Sequence, residues 1–548
     1  MKKLLSFISF IFIFATTYSQ NINFQLKKGE PIRLKISTYV QNSVELGVIG
    51  NYAYFLLEPY QEIYKNEISL NSKEYYIYKF DLNNNLIKTT ALKLVQDKKE
   101  LEFEGALKLQ ENILIFSSFQ NIKDKKHYLF VQNFDPKTGE LSNNHKLLAE
   151  LDYSGYSKFK NTTFKIEVSP DSSKVLIFYT LVNDSNEILR SGINVYDNEI
   201  NLQWKNDKVT TQFSQGYFEF NKFRINNDGE VFIFGQQYVE ILNCWVKAQF
   251  RSRDFLTKDS YFVGESSYTY RIYHYSNKTD KVQGYTFELP EKFIRDMSIQ
   301  ASENGNVLCS GVYSKPGKVS VVGTFNFEYN TTTNSIEKIS TFEFSKELLS
   351  KDLSEEELKR YKSSIANKQE WDPFSYKISD IKTKQNGDKY FVAEQYLNGR
   401  KVTTTGKMTI DQAIYWYNDL FVVSLDKQNQ INKVDKISKR QYYLDQSKFS
   451  SYKLIENNNN LYFFFSTFVK AAKKSYYEIN ILESSIVKLD EKGIQSRAIF
   501  KTNDEYKQPL PCLVNSMQIS TNSIQFFTFP ISMKGARDLI YQQIIIKE

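Results

Sequence analysis

The chain has 548 residues, 41% apolar and 24% charged, which is ordinary for a globular chain and long enough for several domains or one large repeat array. Its 71 Lys and Arg exceed 63 Asp and Glu for a formal charge of +8, too weak an excess for a dedicated nucleic-acid binder, which would cluster its bases on one face. The 15% aromatic share suits pleated sheets, and three cysteines, Cys244, Cys309 and Cys512, exclude a disulfide-held fold.

The first residues carry the three parts of a secretory signal. Lys2 and Lys3 precede an apolar run from Leu4 to Ala15, and Thr17, Tyr18 and Ser19 offer a cleavage site before Gln20 or Asn21. Residues 1–19 are therefore expected to be a signal peptide, with a buried N-terminal helix as the alternative, and the charge falls to +6 without Lys2 and Lys3. No cysteine follows the apolar run until Cys244, so a lipid anchor is not expected. No later apolar stretch reaches about 18 residues, so no spanning helix is expected. An outer-membrane barrel is disfavoured because the apolar runs are short, some are apolar on both faces, and the chain ends in Ile-Lys-Glu.

Eight short apolar runs then recur, starting at Tyr52, Ile113, Val175, Val231, Val307, Tyr390, Leu461 and Ile524, spaced 56 to 83 residues apart. Each follows a turn signal such as Gly50-Asn51, Asp228-Gly229, Asn386-Gly387 or the Asn457 to Asn460 run. These residue types tolerate the positive φ that tight hairpins demand. A run that is apolar on both faces is the inner strand of a stack of sheets. A second hairpin follows in seven of the eight repeats, so each repeat is a four-stranded meander, one blade of a propeller. The eighth repeat, with only Leu539 to Ile546 after its apolar run, lacks a strand, and Pro31 to Tyr39 is a spare one. The predicted architecture is thus an all-β, eight-bladed β-propeller over residues 20–548, closed by its own N-terminal strand, with seven blades as the alternative count. A β-solenoid is disfavoured because its repeats are much shorter.

One insertion, 346–367, breaks the pattern with a predicted helix. Ser354 and Glu357 stand at capping-box spacing, and Leu358, Tyr361 and Ile365 form one apolar stripe.

Catalytic signatures are absent: no G-x-S-x-G elbow, no phosphate loop and no H-E-x-x-H pair. The three histidines, His127, His145 and His274, are scattered among hairpins, so neither a metal nor a cofactor is expected. Asp81, Asp135, Asp426 and Asp490 all precede hairpin turns, and turn formation accounts for them.

The sixth repeat is the most unusual. It contains AEQY (Glu394, Gln395, Tyr396), an aromatic strand with Tyr415, Trp416, Tyr417, Asn418, Asp419 and Leu420, and the pair Lys439 and Gln441. These elements resemble a family of exported propeller-like proteins of Gram-negative bacteria without an assigned function, in which A-E-Q-Y, Y-N-D-[IL] and K-x-Q recur. The match spans about 70 residues; Val434 stands where that family has a Trp. The resemblance implies a propeller and export, and supplies no activity.

The first functional reading is an exported cell-envelope module that binds or scaffolds a protein or glycan. Glu394, Tyr396, Tyr415, Trp416, Tyr417 and Asp419 are its candidate surface, although ordinary cross-strand packing also explains aromatics there. The alternative is a carbohydrate-active or other hydrolytic enzyme using carboxylates in the central channel, which would show as convergent acids with raised pKa. Blade strands continue to the last residues, leaving no sorting domain, so periplasmic residence is expected over release.

Overall fold

The hairpin turns do what their side chains allow. Gly229, Gly305 and Gly387 adopt φ of +82°, +81° and +90°, and Asn458 and Asn459 take +47° and +59°. In the outer turns, the carboxylate oxygen of Asp81 accepts from the backbone N–H of Asn83 and Asn85, and that of Asp426 from Gln428 and Gln430. Asp135 and Asp490 act in the same way on Lys137 and Ile494. The strand that follows the first turn of each repeat is the apolar one, and it is sandwiched: every residue of Val307–Ser314 is buried.

The computed structural model describes residues 22–33, 40–59, 75–155, 161–182, 188–207, 209, 217–238, 246–249, 260–263, 268–277, 279–302, 305–318, 320–367, 374–405, 408–444, 450–472, 479–500, 510–513, 515–529 and 538–547. They form eight antiparallel sheets of four principal strands, set as the blades of a propeller. Blade three shows the plan, with the order Asn161–Val168, Lys174–Val182, Ile188–Asp197, Leu202–Asn206. First strands of neighbouring blades touch: Tyr217–Ile225 of blade four meets Asn161–Val168 and Phe293–Ala301, and the latter meets Ser375–Ile378 of blade six. First strands therefore ring the axis and fourth strands form the rim.

A four-stranded meander is apolar on both faces, so it must be covered on both. Eight apolar clusters do this, each shared between two neighbouring blades. Between blades three and four, Phe178 and Val195 pack with Phe223 and Tyr275. Between blades eight and one, Phe527 and Tyr541 pack with Phe55 and Phe80, the Phe80 and Tyr541 rings stacked at 3.9 Å. The count is eight blades.

In blade eight, the first strand is Met517–Ser520, followed by Ser523–Phe529 and Asp538–Lys547. The fourth is Asn23–Arg33, antiparallel to Asp538–Lys547 with Asn23 opposite Lys547 and Arg33 opposite Asp538. This strand starts eight residues before the predicted Pro31; of the predicted span, 34–39 lies outside the described residues. The cause of the shift is composition. Lys27, Lys28 and Gly29 make the segment look like a loop, yet a rim strand needs apolar residues on one face only, here Phe24 and Leu26.

The insertion is two helices, not one: α1 (Lys346–Ser350) and α2 (Glu355–Ala366). Asp352 at φ +57° turns the chain out of the first, and Ser354 caps the second with the full reciprocal box to Glu357. Leu348 and Leu349 of α1 pack onto the cluster between blades five and six. On α2, Tyr361 is buried while Ile365 is exposed, so the predicted stripe is covered only in part. Among the described residues no helix is long and apolar enough to cross a membrane.

The two faces of the ring differ. Turns between first and second strands, and between third and fourth, are short and share one face. The other face receives the longer connections: from Tyr238 to Tyr268, which includes the hairpin Val246–Gln249 with Ser260–Val263, and from Pro59 to Tyr75. The ribbon of Lys389–Thr405 with Met408–Leu425 also extends on that side, as the longest strand pair among the described residues.

Candidate functional site

Blade six brings the residues of the resemblance together, most of them inside the protein. Glu394 and Asp419 are 2% and 3% exposed, and Lys436, Lys439 and Gln441 no more than 2%. The Lys439 ammonium contacts the Glu394 carboxylate and donates to Gln441 Oε1 at 2.8 Å, while Ser451 Oγ donates to Glu394 Oε2 at 2.6 Å. Gln441 Nε2 donates to the carbonyls of Ser451 and Ser466, and so ties blade six to blade seven. Asp419 pairs with Lys436 at 3.0 Å and with Arg440, which reaches on to Glu357 of α2 at 3.1 Å. Lys436 also donates to the carbonyls of Leu349 and Lys351 at the end of α1.

A buried charge is tolerated only when paired and hydrogen-bonded, and here each is. The network fastens the helical insertion and blade seven to blade six. The predicted surface group accordingly divides. Glu394 and Asp419 lie beneath the surface in ion pairs, which is a correction to their reading as surface groups. Tyr396, Tyr415, Trp416 and Tyr417 are half-buried at the base of the long ribbon. Trp416 leans on Tyr442 at 5.6 Å between ring centroids, and Tyr417 on Tyr396 at 6.3 Å.

Tyr396 leads to a site the sequence did not mark. Its register row, Ser375, Tyr396, Tyr417 and Gln441, stands at the long-connection end of blade six. The corresponding end of blade four holds Glu219, Tyr238 and Tyr268, and that of blade five holds Phe293, Arg295 and Asp296. The groups meet at the channel mouth. Tyr268 packs on Tyr238 at 5.5 Å and on Phe293 at 5.0 Å, and Tyr238 donates its hydroxyl hydrogen to Glu219 at 3.1 Å. The Tyr396 hydroxyl bonds to Ser375, and burial together with the charges of Asp296 and Glu219 holds its pKa above the ordinary value.

Asp296 is the singular group of this mouth. Burial pushes its carboxyl up to about 6, although Lys222 and the backbone N–H groups of Ile378 and Met297 draw it the other way. Nothing in the pattern around Phe293–Ala301 announced it beyond an Arg-Asp pair inside an axial strand, at the bulge between Ile294 and Asp296.

Below the mouth the channel wall is charged in both signs. Lys222 donates to Ser298 Oγ at 2.9 Å, the Ile378 carbonyl at 3.3 Å and Asp380 at 3.0 Å, so blades four, five and six share one ammonium. Lys453 pairs with Glu45 at 2.9 Å, joining blades seven and one. Burial raises Glu104 and Glu167, while Lys222 and Arg224 hold Asp380 low against its own burial. Among the described residues no three His, Cys, Asp or Glu side chains are placed to hold a metal ion. His127 is buried against Phe164, and Cys309 packs in the cluster between blades four and five; Cys244 lies outside the described residues.

No family profile and no curated protein matches this chain. Among solved structures it is similar to the β-propeller domain of the trilobed protease from Pyrococcus furiosus, at 13% identity and TM-score 0.32, over 84% of this chain and 93% of that one. It is also similar to a member of the DUF4221 family from Bacteroides vulgatus, at 11% identity and TM-score 0.29, over 97% and 99%. A protein of unknown function from Dyadobacter fermentans matches at 8% identity and TM-score 0.28, over 71% and 96%. At these values no activity passes from any of them to this chain.

Proposed function

We propose that this chain is an exported cell-envelope binding module, holding a protein or glycan on the face that carries the long connections. The observation behind the reading is the channel mouth, where tyrosines of blades four and six and the carboxyl of Asp296 meet beside the blade-six ribbon. Half-buried tyrosines offer large rigid contact area with a polar tip, which suits both peptide and sugar recognition. The mature chain begins near Gln20, resides in the periplasm, and needs no cofactor for this role. The test is in-cell crosslinking of the tagged protein beside a glycan array. One partner or glycan captured by the native chain and lost with Tyr396→Ala and Tyr417→Ala, at unchanged melting temperature, supports the reading. Capture that both variants retain moves the interface elsewhere.

A second reading, a hydrolase, has one specific observation in its favour. A carboxyl near 6 beside a tyrosine is poised as a general acid at neutral pH. Turnover of chromogenic glycosides that disappears in Asp296→Asn would replace the binding reading with this one.

A further inference from the structure

The inner strand of blade five carries one residue more than its partner strand. Ile294 stands opposite Tyr313 and Asp296 opposite Val312, so Arg295 is the extra residue of a bulge. A bulge re-aims side chains, and here its effect can be followed. Ile294 before it and Met297 after it both pack into the cluster shared with blade four, which leaves Arg295 and Asp296 together on the other side of the strand. The Arg295 guanidinium lies over the Phe293 ring, 5.6 Å from its centroid, and its charge acts on both Tyr268 and Tyr396.

Arg295 differs from the cations deeper in the channel. Lys222, Arg224 and Lys453 each pair with a carboxylate. Among the described residues no carboxylate stands within ion-pair distance of Arg295, no acceptor takes its N–H groups, and those nitrogens are open to solvent. The two acids of the mouth are engaged elsewhere. Asp296 accepts from the backbone N–H of Met297 at 2.8 Å and of Ile378 at 3.2 Å, and Glu219 Oε2 accepts from Tyr238. Glu219 is exposed, and its Oε1 is left as an acceptor. A half-buried guanidinium on an aromatic face is a rigid fork that matches a carboxylate with two parallel bonds. The tyrosine faces beside it suit the C–H face of a sugar ring. A peptide C-terminus fits less well, because such carboxylates are captured by clustered backbone N–H groups, and the two in this mouth are already taken by Asp296.

We propose that the mouth takes an acidic glycan, whose uronic acid carboxylate is held by Arg295 while its ring lies against Tyr268 and Tyr396 and a hydroxyl donates to Glu219. The inference rests on the mouth being the binding site of the module. The full chain is titrated by calorimetry with tetramers of galacturonate, glucuronate and mannuronate, and with their methyl esters. At least one acid tetramer binds, and its methyl ester binds about tenfold more weakly or worse. Arg295→Met brings a loss of the same size, and Arg295→Lys a smaller one, since a point charge lacks the fork. The ester comparison needs no variant, and each variant is judged at a melting temperature that matches the native chain. Absence of binding by every acid tetramer overturns the proposal. So does equal binding of acid and ester, or tighter binding of inorganic phosphate or of a peptide with a free C-terminus. A neutral glycan held through Tyr396 and not through Arg295 overturns this inference alone and leaves the mouth as the site. Binding that survives Tyr396→Ala and Arg295→Met together overturns both.

Discussion

At the residue scale, three buried titratable groups make different demands. His127 is neutral in the fold, since burial depresses its pKa from 6.5 to about 4. The unfolded chain then binds the extra proton first, so stability is full above about pH 6.5 and is lost as pH falls toward 4, by about 3 kcal/mol at most. Chemical denaturation of the native chain and of His127→Gln across pH 4 to 7 measures it, and the variant should show a flatter profile. Asp296 has the opposite sign. Its folded pKa of about 6 exceeds the usual carboxylate value, so stability falls as pH rises through that range. Asp296→Asn should therefore stabilise the fold at pH 7 by about 1 kcal/mol while removing any function of the mouth. Loss of stability instead would make the carboxylate a structural acceptor for Ile378 and Met297. Lys439 is held by a pair: replacing it with Met leaves Glu394 charged, buried and unpaired, at a cost of about 3 to 5 kcal/mol. Lys439→Met with Glu394→Gln should recover most of that in urea denaturation. Glu394 stood out in the sequence, but as a surface residue. A charged residue in a strand looks solvent-facing until its partner is known, and the partner lies some 45 residues away.

At the element scale, the hairpins were legible because turn chemistry is local: Gly, Asn and Asp mark positive φ and side-chain-to-backbone bonds without reference to the rest of the fold. The capping box at Ser354 was legible for the same reason. Ser354→Ala should cost about 1 kcal/mol, confined to α2. Hydrogen exchange would show it as faster exchange at Glu357 and Leu358 with the blades unchanged, whereas a global change would mean that the insertion braces the ring. The closing strand was legible only in part. Its need for a partner came from counting strands in the eighth repeat, but its span, Asn23–Arg33, is set by the edge of Asp538–Lys547 and not by its own polar composition.

At the scale of the whole molecule, the joint between blades eight and one decides whether eight sheets act as one ring. Phe527 sits there with Phe55, Phe80 and Tyr541, its ring 5.1 Å from that of Phe55. Phe527→Ala should cost about 3 to 5 kcal/mol and deletion of 22–33 should cost more, because it also bares the edge of Asp538–Lys547. Thermal unfolding followed by light scattering would report both, and a deletion that melts like the native chain would show that blade eight closes without its N-terminal strand.

The repeat and the blade as its unit were determined by the sequence alone, because period-2 apolar runs and turn residues act over a few positions and recur, whereas the choice of eight blades over seven came from the eight sheets. Tertiary structure decided the rest. Which carboxylates are inside, and that the charge of Asp296 reaches Tyr396, both depend on strands from different blades arriving at one axis. Only ring closure sets those distances, and no single repeat encodes them.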